Sequence, residues 1–137
     1  MLELYSKNVT VNTSDNVPFN NVALVKGDSA VSQGTATIQL NRRGVYKVSV
    51  SASVTASTAG VVSIQLGRNG ILKESAVSSA TAADTTSQIT LGFDTLVVVP
   101  NNYNENCCSS IPTFINVTNT GVEATFNTIN IVVDKIC

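Results

Sequence analysis

The residues with the most reactive chemistry are three cysteines: Cys107 and Cys108, adjacent in the polar stretch PNNYNENCCSSIP, and Cys137 at the carboxy end. Thiolates attack electrophiles, bind soft metals and pair as disulfides. Three thiols fall short of a closed zinc site without a histidine or an acidic fourth ligand, so no metal and no cofactor is expected. Adjacent cysteines bond to each other only with strain. Two readings stay open: a bridge from Cys107 or Cys108 to Cys137, within or between protomers, or reduced thiols in a protein made in the cytosol. The first brings the Cys-rich loop and the carboxy terminus together at one end of the molecule.

The chain has no histidine, which removes the usual general base near neutral pH and with it Ser-His and Cys-His nucleophile pairs. Its 9 acidic residues could in principle supply a glycosidase pair. They fall mainly near expected turns and strand ends, where carboxylates are ordinarily solvated. An enzyme is therefore not expected. The run Asn101, Asn102, Tyr103, Asn104 and Glu105 is a candidate ligand or partner loop, because it belongs to a connection long for a sandwich and carries an amphipathic tyrosine. A plain solvated connector is the other reading, since Asn-rich segments also serve as turns. Sequons at Asn8, Asn12 and Asn116 match by chance in so Asn- and Thr-rich a chain, and the amino terminus lacks the apolar region of a secretory signal.

The elements that must position these residues are strands. In GVYKVSVSASVT, Tyr46, Val48, Val50, Ala52 and Val54 share one face, and Lys47, Ser49, Ser51, Ser53 and Thr55 share the other. That is the period of two of a half-buried strand. The same pattern turns Ala36, Ile38 and Leu40 inward, and likewise Val62, Ile64 and Leu66. Asn69-Gly70 between apolar segments marks a type I′ hairpin. Ile71 to Asp84 has poor apolar spacing and reads as strand plus loop. From Gln88 the alternation runs into the apolar stretch Leu96 to Val99, which predicts burial on both faces and a central or interfacial strand. Phe126 is out of phase with Ile129, Ile131 and Val133, which predicts a bulge near Asn127 or Thr128. Shorter strands are expected at Asn8 to Asn12, Val22 to Val25 and Thr113 to Asn119. The sum is an all-β antiparallel sandwich of about eight to ten strands, a single domain over 1–137 with 1–16 as an amino-terminal arm or first strand.

Only 12% of residues are charged, against about 25% in an average protein. The net charge of -1, with no basic cluster larger than Arg42-Arg43, offers no footprint for nucleic acid or anionic lipid. No 20-residue apolar span is present, so no membrane partner is expected. A weakly charged exterior with extended edge strands invites self-association, and Tyr46, Leu96, Val97, Val98 and Val99 are candidate interface residues.

Gly44-x-Tyr46-x-Val48 opening a long strand, the Asn69-Gly70 hairpin and an apolar closing strand after Gly121 resemble the jelly roll of the tumour necrosis factor and complement globular-head superfamily, over about residues 17–136. Within that group the Cys-rich loop and the Lys-Ile-Cys tail are similar to small Firmicute phage and prophage structural proteins. The resemblance implies a homotrimer. It further implies a non-enzymatic virion protein, capsid-decorating or fibre-head, exposed on the particle surface after assembly in the bacterial cytoplasm, with capsid or fibre proteins and host surface glycans as further partners. The alternative is a dedicated receptor- or carbohydrate-binding module of a phage tail or a bacterial or spore-surface filament.

Overall fold

The computed structural model describes residues 1–99 and 113–137. Its strands are β1 (Leu2–Val11), β2 (Asn21–Val25), β3 (Ala30–Gln33), β4 (Thr37–Leu40), β5 (Gly44–Ala56), β6 (Gly60–Arg68), β7 (Ile71–Ala82), β8 (Gln88–Val99), β9 (Thr113–Asn119) and β10 (Ala124–Lys135). They form two five-stranded antiparallel sheets: sheet A in the order β2-β1-β10-β5-β8, sheet B in the order β3-β4-β9-β6-β7. Among the described residues no helix is long and apolar enough to cross a membrane.

The core lies between the inner faces of the sheets, where alternation places it. On β5, Tyr46, Val48, Val50, Ala52 and Val54 are buried, while Lys47 and Ser51 are exposed. Ile38 and Leu40 of β4 and Val62, Ile64 and Leu66 of β6 meet them from sheet B. The bulge stands where the phase change predicts it: Phe126 pairs with Val54, Thr128 pairs with Ser53, and Asn127 between them is extra. An odd spacing separates Phe126 from Ile129, so in a regular strand they would face opposite ways; the bulge at Asn127 lets both be buried. Asn69 and Gly70 have φ of 51° and 83°, the two positive values a type I′ turn requires.

Other expectations need correction. The strand expected at Asn8 to Asn12 starts earlier: β1 begins at Leu2, and Leu2 and Leu4 are buried opposite Val133 and Ile131. Strand β3 had no signal of its own. Strand β7 covers nearly all of Ile71 to Asp84 because a wide irregularity, from Gln65↔Val77 to Gly67↔Leu72, absorbs the residues that spoil its periodicity. Strand β8 is not central but the edge of sheet A.

Asn119 closes one pole of the sandwich. Its amide donates to the Val11 carbonyl at 2.9 Å and the Val122 carbonyl at 3.0 Å, and its Oδ1 accepts from Gly121 N–H at 3.0 Å. Gly121 is needed there because a Cβ would collide with the Val61 carbonyl. At the same pole Asp84 accepts from the Thr86 and Ser87 amides at 3.0 and 2.8 Å. The Ser87 amide leads the contacts that hold its carboxyl below the ordinary value of 3.8. The chain ends lie at the other pole: Leu2 pairs with Val133, the Met1 ammonium donates to the Lys26 carbonyl at 2.7 Å, and Ile136 N–H donates to the Val45 carbonyl at 2.8 Å.

Candidate functional site

The outer face of sheet A is the surface with the most distinctive build. Its centre is polar. Tyr5, Lys7, Ser51, Ser53, Thr90, Thr128 and Asn130 line a depression of about 400 Å³, which continues past Ser49, Gly92 and Asp94. Several polar side chains of sheet A pair across strands: in the depression Asn130 donates to Glu3 at 2.7 Å and Ser53 to Gln88 at 3.1 Å, and elsewhere on the sheet Asn127 donates to the Thr55 hydroxyl at 2.7 Å and the hydroxyls of Thr10 and Thr125 lie 2.9 Å apart. A polar face whose groups already pair can be covered by a neighbour at less cost than one that would lose bonds to water without replacement.

Two apolar strips flank this centre at opposite edges. On one side all of β2 is exposed: Leu24, 42% exposed and across from Glu3, shares the outer face, and Val22 and Val25, at 58% and 53% and across from buried Leu4 and Leu2, face the inner side beyond the reach of sheet B. On the other, β8 presents Leu96 and Val98, and the adjacent edge strand of sheet B adds Ile71, while its Leu72 and Val77, across from Gly67 and Gln65, face outward from sheet B. The two edge strands β7 and β8 are tied together, Gly92 N–H donating to the Ser78 hydroxyl at 3.2 Å. Arg68 reaches from β6 to donate to the Val98 carbonyl at 3.0 Å, which covers part of the open edge, and its buried Nε has no partner among the described residues. Arg68 and Lys73 line a cleft with Leu96, Val97 and Val98.

The five residues expected at an interface therefore divide. Leu96 and Val98 face outward and are about half exposed, at 52% and 53%. Val97 and Val99 point into the core, since successive residues of a strand face opposite ways and sheet B covers only one face. Tyr46 is also buried. Its hydroxyl lies 2.7 Å from the Arg42 carbonyl and 3.3 Å from that of Ser29, and burial pushes the phenol above its ordinary value of 10. Its place is in the core, anchoring the 41–43 turn. The β2 strip and the β7 contribution escaped the sequence reading, because a short apolar run carries no mark of whether the opposite sheet reaches it.

Asn101, Asn102, Tyr103, Asn104 and Glu105, with Cys107 and Cys108, lie outside the described residues. Cys137 is exposed. Among the described residues no three His, Cys, Asp or Glu side chains are grouped to hold a metal ion. Asp28 and Arg42 form a two-pronged surface pair at 3.0 and 2.9 Å. The Arg42 hydrogen bond holds the Asp28 carboxyl below its ordinary value and raises the guanidinium in turn; an exposed pair of this kind adds little to stability.

No protein-family model matches the sequence, and no curated protein matches it. Solved structures do match its fold. Eiger TNF from S. frugiperda superposes with a TM-score of 0.63 at 14% identity, over 99% of this chain and 92% of that one. The globular domain of zebrafish complement 1qA gives 0.63 at 9%, over 95% and 92%. The PRD1 vertex protein P5 gives 0.59 at 19%, over 99% and 96%. Identities this low establish a shared fold, the antiparallel jelly roll of the tumour necrosis factor type, and nothing about activity.

Proposed function

We propose that this jelly roll is a non-enzymatic structural module that assembles into a homotrimer on the surface of a viral particle of bacteria, as a capsid-decorating or fibre-head domain. The observation that carries the reading is the pair of unlike apolar strips on opposite edges of sheet A. A surface that meets its own copy across a two-fold axis needs one self-complementary patch. Two different patches suit head-to-tail contact, in which the β7–β8 edge of one subunit covers the β2 side of sheet A in the next and a ring closes. The polar centre between the strips, where Asn130 and Ser53 already pair with Glu3 and Gln88, tolerates the covering. A particle surface rather than another location is the reading that the fold likeness to a vertex protein favours, and three subunits is the number that the sequence resemblance to the tumour necrosis factor superfamily implies.

Light scattering tests the assembly. The purified chain is expected at three times its 14.3 kDa mass at micromolar concentration. Leu96→Glu with Val98→Glu, both exposed in the single chain and so compatible with folding, is expected to leave a folded monomer. A wild-type monomer would end the assembly reading, and a clean dimer would end the ring. Imaging of intact particles with antibody against the chain tests the location; particles without it would refute the virion role.

A further inference from the structure

Sheet B carries a second surface feature, on the face opposite the proposed association surface. Phe114 of β9 points away from the core and is 38% exposed. It stands in a depression of about 460 Å³ lined by Thr37, Asn69, Gly70, Ile115 and Asn116. We propose that this depression is a binding site for a neutral sugar ring, with Phe114 as its stacking platform.

The platform is held in place. Asn69 bonds both backbone groups of Phe114, donating its N–H to the carbonyl at 2.8 Å and accepting from the amide through Oδ1 at 2.9 Å. Because that Oδ1 is engaged, the Asn69 side chain offers the depression its NH₂ donors. Asn116 sits directly opposite Gly67 of β6. A Cβ at position 67 would collide with Asn116 Oδ1, so the glycine is what lets the amide lie down against the sheet beside the ring.

The chemistry of the lining selects the ligand. None of the described lining residues is ionisable, so among them a phosphate, carboxylate or ammonium group would find no countercharge. The apolar contact is one ring face, since Ile115 beneath it is 1% exposed. An apolar peptide or a second protein would gain little there, in contrast to the aliphatic strips of sheet A. A pyranose matches both features: one C–H face for the electron-rich face of the phenyl ring, and a rim of hydroxyls for the Asn69 and Asn116 amides and the Thr37 hydroxyl. Assembly through sheet A leaves this face uncovered, so a ring of subunits would present several copies, each weak alone and stronger together on a surface dense in glycans.

The test is titration of the full chain with the methyl glycosides of glucose, galactose, mannose and N-acetylglucosamine, followed by amide resonances, with a short Leu/Phe-rich peptide as the competing probe. At least one glycoside is expected to shift Asn69, Gly70, Phe114 and Asn116 with millimolar affinity. Phe114→Ala is expected to weaken that response about tenfold, with the dichroism spectrum and mass of the assembly unchanged; Asn116→Ala should weaken it as well. The proposal is overturned if no glycoside shifts these resonances, if Phe114→Ala responds like the wild type, or if they respond to the peptide alone. A monomeric chain that still binds a glycoside would refute the trimer and leave this site standing.

Discussion

Asn119 is a polar side chain at 1% exposure that is tolerated because both ends of its amide are used. Replacing it with alanine strands the Val11 and Val122 carbonyls and the Gly121 amide together. Asn119→Ala is therefore expected to lower the unfolding free energy by about 2–4 kcal/mol, a large share of the about 5–15 kcal/mol typical of a domain. Urea denaturation monitored by tyrosine fluorescence measures it; a loss below about 1 kcal/mol would mean that water or a local shift repairs the three groups. Little of this was legible in the sequence, where Asn119 is one asparagine in an Asn-rich chain and its partners come from β1 and a turn. Phe114 was equally silent, since alternation puts it outside but cannot say that Asn69 and Gly67 build a depression around it. Tyr46 misled in the opposite sense, because an amphipathic residue beside a proposed interface is also what an anchored core tyrosine looks like.

Among the elements, β5 was the most legible because it is paired on both sides, to β10 and to β8, and covered on one face by sheet B. Its alternation is thus a direct print of its surroundings. Val50→Asp places an unpaired carboxylate in the core and is expected to abolish soluble folding, the desolvation cost of the charge being comparable to the stability of the domain. Ser51→Asp points into the polar depression of sheet A and should yield a folded chain with weakened self-association. Soluble yield, thermal melting and light scattering of the two variants check this, and equal behaviour would contradict the assigned faces. Edge elements were less legible for the same physical reason. Strand β2 has no second face to print against, β7 departs from regular register, and a run such as Leu96 to Val99 reads identically in a strand buried on both sides and in an edge strand whose outer face is apolar.

At the scale of the whole molecule, unlike edges make a prediction that a self-complementary patch does not. A chain with Leu96→Glu and Val98→Glu keeps its β2 edge, and a chain with Val22→Glu and Leu24→Glu keeps its β8 edge. Each alone should be monomeric. Mixed in equal amounts they should form a dimer through the one intact contact left between them and go no further, as sedimentation velocity would resolve. A dimer of either variant by itself would point to a two-fold contact instead.

The pairing of Leu2 with Val133 has one more consequence. Both chain ends leave from a single pole, so a tether fused to either end pulls on the same base and leaves the far pole facing away from the anchor. The loops there, 12–16, 57–59, 83–87 and 120–123, then stand outermost whichever end is fastened. As a display scaffold the domain is therefore indifferent to the polarity of its attachment: a peptide grafted into the 57–59 turn would be presented in the same orientation on an amino-terminal or a carboxy-terminal stalk.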